Sequence, residues 1–322
     1  MKKLISLALA LVMILSLSTV VFAADYDEYL DKSTSFTKEY DVKHGEAPAE
    51  TFEFKAEFVS FKDNEGEDAD MEASAAPKVT LGDAAFDAIA AGTSVAVDVQ
   101  ISDVTNADLG VYTYEITEVA GKTAGVTYND ESIFLVVTVL RDDESTKHYV
   151  AAVHYETENG EKTGKITNEY DAGQLTVTKE ITGNMADMSK QFIFTITLTA
   201  PEGSKFADNQ NVCSNDGAEV AKTTNSEWII TVPLGDGESI NITNIPVGTT
   251  YTVEENADGY TSTHTTAADG SIAGGDADVD VWTNELTSEV DTGIALDSMP
   301  YVLILAVVAG AFVLATVKKR EV

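Results

Sequence analysis

The chain has 322 residues and a formal net charge of −34, from 20 basic and 54 acidic side chains. A surface of that sign repels nucleic acid and anionic lipid, which sets nucleic acid aside as a partner and leaves the membrane only through an anchor. Cys213 is the one cysteine, so no intrachain disulfide can form, although an exported protein often relies on them.

The chain opens MKKLISLALALVMILSLSTVVFAAD, with two lysines ahead of an apolar run that closes on Val21-Phe22-Ala23. A basic start, an apolar centre and a small-x-small cleavage pattern predict a secretory signal peptide over residues 1–23. The mature chain is expected to start near Ala24.

Next come short alternating runs rich in Thr, Val, Tyr and Phe, punctuated by Gly, Asn and Asp, which is the composition of β structure. SFTKEYDV, TFEFKAEFVSF, SVAVDVQISDV, GVYTYEITEVAG and GKITNEYDA follow one another in the first half. QLTVTKEITG, QFIFTITLTA, SINITNIPVG, TYTVEENADG and VDVWTNELT answer them in the second, in matching order and character. The repeat predicts an all-β chain of two tandem antiparallel sandwiches, over residues 24–171 and 172–288. A short helical turn is expected only around DAAFDAIAAG, and the brief junction EYDAGQ predicts domains set end to end.

Residues 299–317, MPYVLILAVVAGAFVLATV, are long and apolar enough to cross a hydrocarbon core of about 30 Å. Lys318-Lys319-Arg320 follow at once, predicting a cytoplasmic basic tail over 318–322. The acidic loops KDNEGEDAD and GGDADVD match no calcium-loop pattern, and the four histidines are scattered, so no metal and no cofactor is expected.

Alternation in QLTVTKEIT sets Lys179 on the same face as Leu175, Val177 and Ile181, where an ammonium is costly unless paired. Lys38 stands likewise between Phe36 and Tyr40. Glu118 shares a face with Tyr112, Tyr114 and Ile116, and Glu255, rather than its neighbour Glu254, shares one with Tyr251 and Val253. On the last strand of each copy Asn168 lies between Ile166 and Tyr170, and Asn284 between Trp282 and Leu286. One reading is a buried, hydrogen-bonded Lys–Glu–Asn cluster in each domain, without chemistry. The other is a reaction. A dry site disfavours both ammonium and carboxylate, leaving a nucleophilic amine and an acid able to polarise the asparagine carbonyl. Attack with loss of ammonia would then leave a Lys–Asn isopeptide bond.

With FTK at Lys38, YEITE at Glu118, ITN at Asn168, VTK at Lys179, YTVEE at Glu255 and WTN at Asn284, the chain resembles the Gram-positive backbone pilins of the streptococcal type. That resemblance implies immunoglobulin-like (CnaB-like) domains with self-formed Lys38–Asn168 and Lys179–Asn284 bonds, assisted by Glu118 and Glu255. It implies that EVDTG, residues 289–293, is a sortase signal cut between Thr292 and Gly293, with Glu and Val where L-P-x-T-G has Leu and Pro. The polymerising lysine in such pilins precedes the last strand of the first domain, where Lys162 is the candidate and Lys165 points outward. The implied protein is a wall-anchored surface pilus subunit with no catalytic turnover. Its partners would be sortase, neighbouring subunits, minor pilins and peptidoglycan; an unpolymerised anchored adhesin or stalk is the alternative.

Overall fold

The computed structural model describes residues 32–143, 146–214, 220–265, 268–275 and 277–288. The signal peptide, the motif with Thr292 and Gly293, the apolar span and the basic tail lie outside the described residues.

The first domain begins with β1 (Lys32–Val42), β2 (Glu50–Phe52), β3 (Phe54–Asp63), β4 (Asp68–Ala69), β5 (Lys78–Leu81) and β6 (Ala84–Phe86). It continues with β7 (Thr93–Ser102), β8 (Gly110–Glu118), β9 (Val126–Thr127), β10 (Ile133–Arg141), β11 (His148–Glu156) and β12 (Lys165–Tyr170). The second domain holds β13 (Ala172–Thr182), β14 (Phe192–Thr199), β15 (Cys213–Ser214), β16 (Val220–Lys222) and β17 (Glu227–Leu234). It closes with β18 (Ser239–Pro246), β19 (Thr250–Glu255), β20 (Thr261–His264), β21 (Asp269–Ser271) and β22 (Ala277–Glu285).

Each domain is a two-sheet sandwich. In the first, β5-β7-β1-β12-β9 faces β11-β10-β8-β3-β4; in the second, β15-β18-β13-β22-β20 faces β16-β17-β14-β19-β21. Alternation does the folding: Phe36, Lys38 and Tyr40 of β1 point inward while Thr37 and Glu39 do not. The inner faces bury Tyr112, Ile116, Leu135 and Val137 in the first domain, and Val177, Phe194, Ile196 and Ile230 in the second.

Three details differ from the sequence-based expectation. The DAAFDAIAAG stretch carries no helix: Ala84–Phe86 is a strand that pairs with β2, burying Ala84 and Phe86. The first and last strands of each domain pair in parallel, β1 with β12 and β13 with β22, while their other neighbours are antiparallel. The repeat is also imperfect, since β8 lies between β3 and β10, whereas β19 lies between β14 and the short β21.

Only Asp171 separates β12 from β13. Across this joint the Asn244 side chain accepts the Glu46 N–H at 2.8 Å and donates to the Glu46 carbonyl at 3.1 Å. Gln210 donates to the Tyr170 hydroxyl at 2.7 Å, and Ala124 of the first domain packs into the second domain's core. The domains meet through a hydrogen-bonded interface rather than a tether.

Candidate functional site

The parallel pairing of first and last strands brings lysine and asparagine together. Lys38 stands opposite Ile166 and Tyr40 opposite Asn168; Lys179 stands opposite Trp282 and Ile181 opposite Asn284. In both domains the asparagine is therefore two residues beyond the lysine's partner, on the inward face of the neighbouring strand. Adjacent strands lie about 4.8 Å apart, so a lysine side chain can reach its diagonal neighbour. The glutamates come from the facing sheet, Glu118 at the end of β8 and Glu255 at the end of β19. Glu255 points into the core, and Glu254 is exposed.

All six side chains are sealed from solvent: Lys38, Asn168, Lys179 and Asn284 are 0 % exposed, as are the carboxylates of Glu118 and Glu255. Lys38 Nζ lies 2.5 Å from Glu118 Oε2, and the Asn168 amide nitrogen donates to Glu118 Oε1. Lys179 Nζ lies 2.9 Å from Glu255 Oε1, and Asn284 Nδ2 donates to that same oxygen at 2.9 Å. Aromatic rings wall each amine, Phe52 at 4.6 Å from Lys38 Nζ and Phe192 at 4.8 Å from Lys179 Nζ.

Burial lowers the pKa of Lys38 below the ordinary lysine value, against the opposing pull of Glu118. Lys179 is lowered by the same cause, opposed by Glu255 and Asp236. Each amine is thus pushed toward its neutral, nucleophilic form with a carboxylate in place to take the proton.

The carboxyls face the amide nitrogens, not the carbonyls they were expected to polarise. In the first domain the carbonyl oxygen Asn168 Oδ1 instead accepts the backbone N–H of Asn129 at 2.8 Å. That loop is held by an Asx turn, in which Asn129 Oδ1 accepts the Glu131 N–H at 2.9 Å. In the second domain Ser262 donates to Glu255 Oε2 at 2.8 Å. Asp280, fully buried, accepts from the Trp282 indole at 2.7 Å. Asp280 shares the inward parity of Trp282 and Asn284, so alternation in VDVWTNE could have found it. The backbone donor at Asn129 has no side-chain signature.

Lys162 lies exposed in the turn between β11 and β12, bridged in backbone register with Glu156. Lys165, exposed at the start of β12, pairs with Glu39 at 2.5 Å. Neither approaches the buried triplets. An open cleft beside this turn is lined by Glu115, Asp130, Glu131, Glu158 and Glu161, an acidic setting for a cationic side chain.

A family profile described as a Spy0128-like isopeptide containing domain matches residues 34–171, and one described as a domain of unknown function matches 173–285. A curated pilin of Streptococcus pyogenes serotype M1 is 32% identical over 240 residues, spanning 68% of this chain and 70% of that protein. Among solved structures, an asparagine-to-alanine variant of the major pilin from Streptococcus pyogenes superposes with a TM-score of 0.51 at 23% identity. It covers 80% of this chain and 99% of that one. The T3.2 major pilin of the same species gives 0.50 at 20%, over 80% and 98%. At these identities the superpositions speak for the fold, while the 32% relative speaks for descent. The chain belongs to the streptococcal-type pilin family.

Proposed function

We propose that this pilin is a pilus shaft subunit whose two domains each close themselves with a Lys–Asn isopeptide bond, Lys38–Asn168 and Lys179–Asn284. The observation that carries this reading is the duplicated burial of a lysine, a glutamate and an asparagine at full exclusion from solvent, in one strand register. An unreacted cluster would pair most of these polar groups, leaving Asn284 Oδ1 without a donor among the described residues, but desolvating two ions twice over is a costly way to build a core.

The reaction proceeds within the triplet. The lysine ammonium passes a proton to the glutamate, and the neutral amine attacks the asparagine Cγ while the carbonyl electrons move to Oδ1. The glutamic acid hands its proton to the amide nitrogen it faces and takes one from the newly bonded lysine nitrogen. The carbonyl re-forms, the Cγ–Nδ2 bond breaks, and the departing ammonia takes the proton left on the glutamic acid and leaves as ammonium. The glutamate is regenerated, and each site reacts once.

The crosslinks join first strand to last. Tension arriving at β1 would pass to β12 through a covalent bond, and from β13 to β22 in the same way, so the sheets need not shear. Such a domain has almost no open state for a protease to capture. Export by the leader, sortase cleavage between Thr292 and Gly293, and transfer to Lys162 of a neighbouring subunit or to peptidoglycan complete the reading. It places the protein on the outside of a Gram-positive wall.

Intact mass of the exported chain tests the first part. The expected value is short of the sequence by two ammonia molecules, and Lys38→Ala and Lys179→Ala each restore one. A mass equal to the sequence would remove the crosslinks. For polymerisation, Lys162→Ala should abolish a high-mass surface ladder; a ladder that persists would assign the linkage to another lysine, and no ladder in the parent would favour an anchored stalk.

A further inference from the structure

The two triplets are assisted differently. In the first domain β9 is only two residues long, and its pairing with β12 stops at Thr127 opposite Glu169. The chain then leaves the sheet, and the Asn129 N–H points at Asn168 Oδ1 from 2.8 Å. In the second domain the corresponding strand, β20, runs alongside β22 for four residues, with Ser262 directly opposite Asn284. β20 is an edge strand held by β22 alone, and none of the described residues donates to Asn284 Oδ1. This oxygen is buried and accepts no hydrogen bond among the described residues. What β20 supplies instead is the Ser262 hydroxyl, which holds Glu255 Oε2 at 2.8 Å. Glu255 must then serve both Lys179 and Asn284 through Oε1, whereas Glu118 offers one oxygen to each partner.

We infer that the Asn129 backbone N–H is an oxyanion donor for the first-domain crosslink, that the second domain lacks this donor and relies on Ser262 to position Glu255, and that the two bonds therefore form at different rates, first domain before second. This inference rests on the crosslinking reading above and goes beyond it. When the amine attacks, negative charge develops on Oδ1. A fixed N–H already pointing there stabilises the transition state without reorganisation. Losing one such donor costs acyl-transfer reactions roughly 10²–10³ in rate, which sets the scale of the expected difference between the domains. Ser262 touches no reacting atom of the amide, and its role is positioning.

The experiment is a time course on the full chain made by cell-free translation, quenched in acid at intervals and digested. The Lys38–Asn168 and Lys179–Asn284 linked peptides are quantified separately by mass spectrometry. The first-domain peptide is expected to accumulate about 10²-fold faster. Equal rates, or the reverse order, overturn the inference while leaving the crosslinks in place. Absence of both linked peptides overturns the crosslinking reading and this inference with it. Asn129→Pro, which removes the N–H, should slow the first-domain bond alone, with the second-domain bond in the same molecules reporting a folded chain. Asn129→Ala keeps the N–H but loses the Asx turn that holds the loop, and should slow the first-domain bond far less than Asn129→Pro. Ser262→Ala should slow only the second-domain bond and Ser262→Thr should restore it; an unchanged rate in Ser262→Ala overturns the positioning role.

Discussion

Replacing Asn168 by alanine isolates the contribution of one crosslink, because it leaves the Lys38–Glu118 pair intact and removes only the acceptor. A bond from Lys38 to Asn168 closes a loop of about 130 residues, nearly the whole domain, and loop-closure entropy then contributes about 5 kcal/mol. The substitution also leaves the Asn129 N–H without its acceptor, adding about 1 kcal/mol. A domain of this size unfolds with an entropy near 0.3 kcal/mol per degree, so the first domain's melting temperature should fall by roughly 20 °C. Differential scanning calorimetry of parent and Asn168→Ala, each with its intact mass measured, makes the comparison. Without a crosslink in the parent, the lost hydrogen bonds and packing are worth about 1–3 kcal/mol, a fall below about 10 °C. A drop that small, in a parent of unshortened mass, would refute the reasoning.

Three further outcomes follow from the same geometry. Glu118→Gln keeps the shape of the site but cannot relay a proton, so the deficit against the variant's own sequence mass should shrink by one ammonia and the Lys38–Asn168 linked peptide should disappear from digests; Glu255→Gln should do the same for Lys179–Asn284. In Asn168→Ala, Lys38 stays a free buried amine with a lowered pKa, so the unfolded chain binds more protons than the folded one between that pKa and 10.5. Stability of that variant's first domain should therefore rise as pH climbs from that lowered pKa toward 10.5, measured by urea melts; a flat or falling profile would show that burial does not govern the amine. At the domain joint Asn244 adopts φ 60°, and its side chain makes hydrogen bonds to both backbone groups of Glu46 and to the Asn211 carbonyl. Asn244→Gly tolerates that backbone but loses those bonds, and should cost about 2–4 kcal/mol in coupling, seen as separation of the two calorimetric transitions.

Much of this protein is legible as a sequence because a β-strand has a period of two. The alternation in FTKEY, YEITE and ITN assigned each side chain to a face without any knowledge of its neighbours, and the duplicate in VTKEI, YTVEE and WTN gave the same assignment twice. The same parity set Glu255 inward and Glu254 outward, and the match in order between the two halves implied two sandwiches before any contact was known.

What alternation cannot state is which strands become neighbours, since pairing depends on residues far apart in the chain. Only the tertiary structure set β1 beside β12 and β13 beside β22, in parallel and in one register, and so decided that each lysine meets its asparagine diagonally. Strand termination is equally non-local: β9 stops after two residues and frees the Asn129 N–H, while β20 continues and brings up the Ser262 hydroxyl. A backbone donor is chemically the same at every residue, so its place in the site is determined by where the chain turns. The residue types and their faces belong to the sequence; the partners, and the difference between two sites of the same composition, belong to the fold.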